Sequence, residues 1–90
     1  MGINTIIIMA NKNKLIQKLK SRPKDFKWQE ANTLLKSLGF IKIQGDGSRV
    51  KFYNKEINCL IHFHKPHPAN ELKQYVIKEL LETLTKRELI

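Results

Sequence analysis

Three histidines in the second half of the chain have types and spacing that could do chemistry. His62, His64 and His67 form an H-x-H-x-x-H pattern within the segment IHFHKPHP. Imidazole is a common zinc ligand, but the sequence offers no evident fourth ligand, so we expect no metal here. A histidine can instead accept and donate protons near neutral pH, as cleavage of a phosphodiester beside a ribose hydroxyl requires. The alternative is an ordinary polar surface residue, above all for His62.

The segment that contains these histidines alternates in polarity as a β-strand does. Between Ile57 and His64, residues Ile57, Cys59, Ile61 and Phe63 fall on one side and Leu60, His62 and His64 on the other. The same period of two occurs in residues 40–44 and 48–54, and the Gly45-Asp46-Gly47 segment between them predicts a turn. Three strands with short connections favour an antiparallel meander.

Apolar residues recur at helical spacing on both sides of the three strands. A helix is predicted from Trp28 to about Leu38, ending at Gly39, and another from about Asn70 to Leu84. A shorter helix is predicted to end near Lys20. The predicted fold is therefore α+β, in the order α-β-β-β-α with an extra N-terminal helix. Two helices would cover one face of a three-stranded antiparallel sheet and leave the other face open to solvent.

The pleat of such a sheet predicts which side chains lie on the open face. The apolar strand residues are assigned to the core: Ile41, Ile43, Val50, Phe52, Cys59, Ile61 and Phe63. Their neighbours would point outward: Lys42, Gln44, Arg49, Lys51, Tyr53, Leu60, His62 and His64. Each of these alone is more simply a solvated strand residue. Together, a basic face without acids and with a tyrosine predicts contact with nucleic acid. The predicted RNA-binding residues are Lys42, Arg49, Lys51, Tyr53, His62, Lys65 and Lys73.

The overall charge favours the same partner. The 90 residues include 17 Lys and Arg against 8 Asp and Glu, a net charge of +9, which favours a polyanion. A membrane surface is the weaker alternative, because the cations lie on predicted strands rather than on one helix face. No apolar run approaches the roughly 20 residues that a membrane span requires. A single cysteine, Cys59, has a core position and suits the reducing cytoplasm.

The length predicts one domain, over residues 11–90. Residues 1–10 are predicted to be a leader that is disordered or not translated, with Met9 as an alternative start. An extra edge strand built on Ile6–Ile8 is the other interpretation, and we favour the later start.

Three segments, in this order and spacing, carry a family resemblance: WQEANTLLKSLGF from Trp28, GSRVKF from Gly47 and HKPHP from His64. They resemble the HicA family of toxins from bacterial type II toxin–antitoxin pairs. The resemblance implies a fold similar to that of a double-stranded-RNA-binding domain. It also implies ribosome-independent cleavage of mRNA and neutralisation by a HicB-type antitoxin.

One position departs from the family pattern. Family members usually have a catalytic histidine directly after Gly-Ser, whereas Arg49 follows Ser48 here, as in a branch of the family that this sequence resembles. Arginine can hold a phosphate but stays protonated, so it is unsuited to act as a general base. The predicted catalytic residues are therefore His64, Arg49 and His67, with His64 transferring the proton and His67 or His62 as its partner.

Two functions are thus predicted, and we favour the first. One is an endoribonuclease toxin that needs neither metal nor cofactor: a ribose 2′-OH attacks the adjacent phosphate while Arg49 and Lys51 stabilise the developing charge. The other is an RNA-binding module that keeps the fold without the chemistry.

Overall fold

The computed structural model describes residues 12–90. The elements are α1 (residues 12–20), α2 (Trp28–Ser37), β1 (Ile41–Gln44), β2 (Arg49–Asn54), β3 (Cys59–His64) and α3 (Gln74–Lys86). This order confirms the predicted α+β fold. No helix within residues 12–90 is long and apolar enough to cross a membrane. The predictions for residues 1–10, a leader or an edge strand at Ile6–Ile8, lie outside the described residues.

The three strands form one antiparallel sheet with β2 at its centre. The turn between β1 and β2 is closed by the Gly45 N–H, which donates to the Arg49 carbonyl at 2.9 Å. Within this turn Gly47 has φ +60°, a left-handed conformation that glycine adopts without strain. The turn therefore brings the start of β2 next to the end of β1, as the glycine pair predicts.

Aromatic rings form the centre of the core between the sheet and α2. Trp28 contacts Phe52 and Phe63 edge-to-face, with centroids 6.1 and 5.6 Å apart, and Phe52 and Phe63 meet at 5.6 Å. Cys59 is buried in the same core, as predicted, and its thiol is free. The contribution of α3 is an aliphatic stripe of fully buried side chains: Ile77, Leu80 and Leu84.

The end of α2 is held by glycine and by a buried amide from the sheet. Gly39 has φ +96°, and the N–H groups of Gly39 and Phe40 donate to two carbonyls of the last helical turn at 3.1 and 3.0 Å. This is the Schellman pattern of helix termination. Asn54, at the end of β2, donates from Nδ2 to the Leu38 carbonyl at 3.1 Å. The helix end and the sheet are therefore linked by a part-buried hydrogen bond.

An ion pair attaches α1 to the start of α2. Leu19 of α1 is fully buried, and beside it Lys18 Nζ lies 2.9 Å from both carboxylate oxygens of Glu30. Glu30 also accepts a hydrogen bond from the Lys27 N–H at 3.0 Å, directly before α2 begins. One carboxylate thus caps α2 and holds α1 against it.

The last helix begins at Gln74 rather than near Asn70 as predicted. The segment before it is extended: the Leu72 N–H donates to the Phe26 carbonyl at 2.8 Å, and the Trp28 N–H donates to the Asn70 carbonyl at 2.7 Å. These backbone groups form a short antiparallel bridge and cannot also form a helical turn. Leu72 is buried, so it joins the core from this extended segment rather than from α3.

The faces of β1 are the reverse of those predicted. Lys42 lies opposite Phe52, and Ile43 lies opposite Lys51. Directly opposed residues share a face of the sheet. The prediction for this strand was therefore wrong: its isoleucines lie on the open face, and its polar residues lie on the side covered by the helices. The isoleucines are Ile41 and Ile43, and the polar residues are Lys42 and Gln44.

Phe40 explains the reversal. It directly precedes β1 and is only 3% exposed, so the alternation of the strand turns Ile41 outward and Lys42 inward. Lys42 remains exposed at the sheet edge, with its Nζ 5.7 Å from the centre of the Trp28 ring. The bond from the Phe40 N–H to the Leu35 carbonyl at 3.0 Å belongs to the Schellman ending of α2, so the helix end itself fixes Phe40 in the core.

Candidate nucleic-acid interface

Cross-strand pairing arranges the open face of the sheet in three rows that run across the strands. The basic row is Arg49 and His64; the middle row is Ile43, Lys51 and His62; the apolar row is Ile41, Tyr53 and Leu60. Successive rows are about 7 Å apart, two residues along each strand. Positive charge is therefore concentrated toward the β1–β2 turn, and apolar surface lies at the opposite end.

The basic row joins two segments that are distant in the sequence. Arg49 at the head of β2 pairs with His64 at the end of β3. Ser48 Oγ lies 3.4 Å from His64 Nδ1, a long hydrogen-bond contact, and the Ser48 carbonyl accepts a bond from the Lys65 N–H at 2.7 Å. Ser48 thereby ties the Gly-Ser-Arg segment to the His-Lys-Pro-His-Pro segment. Its place beside His64 was missed, because only the register of β2 and β3 reveals it.

A cleft of about 550 Å³ lies beside the basic and middle rows. Arg49, Lys51, His62 and His64 line it, and so does Asp46 of the β1–β2 turn. The three rows themselves contain no acid, as predicted. The Asp46 carboxylate, however, places one negative charge at the rim of this cleft, which sequence reasoning missed.

The aromatic residue of the face is partly fixed. Tyr53 is half-buried between its cross-strand partners Ile41 and Leu60. Its hydroxyl donates to Asn58 Oδ1 at 3.1 Å, in the turn that joins β2 to β3. The ring is thus held at the apolar end of the open face.

The remaining predicted residues lie around the sheet or away from it. Lys65 directly follows His64, Lys73 directly precedes α3, and His67 lies in the connecting loop; all three are exposed. Lys42 pairs with Phe52 and therefore lies on the other side of the sheet from the open face. Among residues 12–90, no three His, Cys, Asp or Glu side chains group in a way that could hold a metal ion.

A comparison with protein families finds a match that includes the segments forming this interface. A family model described as the HicA toxin of bacterial toxin–antitoxin matches residues 28–85, which is well over half of the chain. The chain belongs to the HicA toxin family. The match runs from the first residue of α2 into α3, so all three rows of this HicA toxin lie within the matched region. No curated protein and no solved structure matches the chain.

Proposed function

We propose that this HicA toxin is an endoribonuclease that binds mRNA across the open face of its sheet and cleaves it at the basic row. The observation that carries the proposal is the direct pairing of Arg49 with His64 on neighbouring strands. A permanent cation and an imidazole, a side chain that can accept and donate a proton, are thus placed side by side. Although Arg49 stands where the family resemblance implies a histidine, an imidazole is still present directly across the sheet.

The chemistry follows from what these two side chains can do. His64 accepts the proton of a ribose 2′-OH, whose oxygen attacks the adjacent phosphorus. Arg49 and Lys51, in neighbouring rows of β2, stabilise the charge that accumulates on the phosphoryl oxygens. The bond from phosphorus to the 5′ oxygen breaks, and that oxygen takes a proton from a second acid, His62 or His67. The products are a 2′,3′-cyclic phosphate and a 5′-hydroxyl, and the scheme uses no metal or cofactor.

A HicB-type antitoxin is the proposed protein partner in the cytoplasm. Arg49, Lys51 and His64 are all exposed, and none of them forms a salt bridge within residues 12–90. An acidic antitoxin segment laid across them would pair these charges and exclude RNA at the same time. RNA and antitoxin should therefore compete. A ternary complex with RNA still bound would contradict a shared face.

The second candidate is an RNA-binding module without catalysis. It is favoured by one observation: Arg49, which cannot serve as a base, heads β2 where the family resemblance implies the catalytic histidine.

Cleavage and binding by histidine variants separate the two candidates. His64 is exposed, and its side chain makes one hydrogen-bond-range contact within residues 12–90, to Ser48, so His64→Ala should fold normally. We expect it to lower the cleavage rate by about 100- to 10,000-fold while RNA binding is retained. Measuring His62→Ala and His67→Ala in the same assay identifies the second proton-transfer group. Wild-type rates in all three variants would exclude histidine chemistry, whereas a wild-type protein that binds RNA without cleaving it would leave the non-catalytic module.

A further inference from the structure

The reversed faces of β1 place an apolar surface beside the basic end of the sheet. Ile41 is 59% exposed and Leu60 is 47% exposed, and Tyr53 lies between them in the apolar row. The middle row adds Ile43, which is 42% exposed and sits directly beside Lys51. Large apolar side chains at this exposure need a reason, because solvent disfavours them and no element within residues 12–90 covers this face.

The tyrosine at the centre of this row is held in place before any ligand arrives. The bond from its hydroxyl to Asn58 Oδ1 ties Tyr53 to the β2–β3 turn, and the neighbouring aliphatic side chains flank it on both strands. A fixed ring loses little conformational freedom when a planar group stacks on it. This arrangement suits a flat, partly apolar ligand.

The spacing between the rows would allow one RNA strand to contact both the apolar row and the basic row. Along β2, Arg49, Lys51 and Tyr53 follow one another at about 7 Å, so that Tyr53 lies about 13 Å from Arg49. A single strand of RNA carries phosphates and bases alternately along its length. When its phosphates lie on Arg49 and Lys51, a base one or two nucleotides away can reach the apolar row.

We propose that the apolar row is a nucleobase subsite, in which an unpaired base stacks on Tyr53 between Ile41 and Leu60. The inference rests on the proposed RNA binding and narrows its substrate class to RNA that is single-stranded at this point. A duplex keeps its bases stacked inside and presents mainly phosphates and ribose hydroxyls to a protein. Direct continuity with the cations, together with the aromatic ring, favours a nucleotide over an apolar protein segment as the occupant.

Binding of three RNA ligands to variants of Tyr53 and to a control variant tests this subsite. The ligands are a single-stranded RNA, the same strand with abasic sugars, and a duplex of the same sequence, all with 2′-O-methyl riboses so that no attack can occur. Tyr53→Ala removes the ring. Gln29→Ala is the control for a side-chain truncation away from the open face, because Gln29 is exposed on α2 and lies among residues of α1 and α2. Tyr53→Phe keeps the ring and removes only the bond to Asn58.

We expect Tyr53→Ala to weaken binding of the single strand by about 5- to 140-fold, the range for loss of one stacked base. Binding of the abasic strand and the duplex should be unchanged, as should all binding by Gln29→Ala. Tyr53→Phe keeps the stacking ring and should lose much less affinity for the single strand than Tyr53→Ala does. Should Tyr53→Ala fail to fold, Ile41→Thr can replace it, because Ile41 is at an exposed edge position. Its loss of affinity should be smaller and should again affect the single strand but not the abasic strand or the duplex.

Several results would overturn the subsite. Equal losses for the single and abasic strands would mean that the ring does not contact a base. Unchanged RNA binding with weakened antitoxin binding would assign the apolar row to the protein partner. If the wild-type protein binds no RNA even at low salt, the proposed function itself fails. If it binds RNA but Tyr53→Ala behaves as Gln29→Ala does, the subsite alone is wrong.

Discussion

Two lysines on opposite faces of the sheet, Lys42 and Lys51, provide the sharpest test of the sheet register. Lys51 lies in the middle row of the open face, opposite His62, whereas Lys42 pairs with Phe52 on the side covered by the helices. Both are exposed. The substitutions Lys51→Ala and Lys42→Ala are therefore the same chemical change on opposite faces.

The size of the effect on RNA binding follows from counterion release. Each phosphate contact to single-stranded RNA contributes about 0.7 to the slope of log affinity against log salt. Lys51→Ala should lower that slope by about 0.7, so that the fall in affinity over a fourfold rise in salt is about 2.6 times smaller than for wild type. Lys42→Ala should leave the slope unchanged.

Lys42→Ala should instead affect folding. The Lys42 ammonium lies 5.7 Å from the centre of the Trp28 ring, and losing such an exposed cation–π contact costs about 0.5–1 kcal/mol of unfolding free energy. Lys51 makes no comparable contact within residues 12–90, so Lys51→Ala should unfold at nearly the wild-type denaturant concentration.

The assay is a salt titration of RNA affinity for the wild-type protein and both variants, with denaturant unfolding of each. A lower salt slope for Lys42→Ala than for Lys51→Ala would refute the register of β1 and the placement of RNA on the open face. Equal slopes in all three proteins would show that RNA does not contact either lysine.

Three further outcomes are expected. Arg49→His, which restores the usual family residue, should keep or raise the cleavage rate; a loss as large as that of His64→Ala would show that the fixed charge is essential. Gly39→Ala should lower the unfolding free energy by about 1–3 kcal/mol at unchanged denaturant dependence, because φ is +96° and the new Cβ would lie 3.1 Å from Asn54 Nδ2. The hydrogen bond to Glu30 raises the pKa of Lys18, so the stability lost in Lys18→Gln should be constant at neutral pH and shrink only as the pH rises past the ordinary lysine value of about 10.4. A difference that already shrinks between pH 7 and 9 would contradict that assignment.

Periodicity alone was sufficient to predict the bounds and the buried face of those elements in which one side is clearly apolar and the other polar. The helix from Trp28 was predicted almost to its last residue, because its apolar stripe and Gly39 both mark its course. The faces of β2 and β3 were also predicted correctly, since Phe52 and Phe63 alternate with cations and histidines. In these segments, the pattern that forms the element also selects its buried side.

For β1, the alternation of apolar and polar residues was not sufficient to predict which face is buried. In the segment FIKIQ either the isoleucines or Phe40 could face the core, and both choices alternate equally well. Which of them is buried depends on the space that Trp28 and β2 leave in the core, and that space is set by tertiary packing. The start of α3 was missed for a similar reason: Leu72 is apolar in either conformation, and only its backbone bond to Phe26 makes the segment extended.

The sequence by itself determined the element order, the basic character of the chain and the family, because these depend on composition, local period and short motifs. Only the tertiary structure decided that His64 lies beside Ser48 and opposite Arg49, and that Ile41, Tyr53 and Leu60 form one row. The physical reason is register. A shift of one residue moves every side chain of a strand to the other face, and register is set by long-range burial and pairing that no local pattern contains.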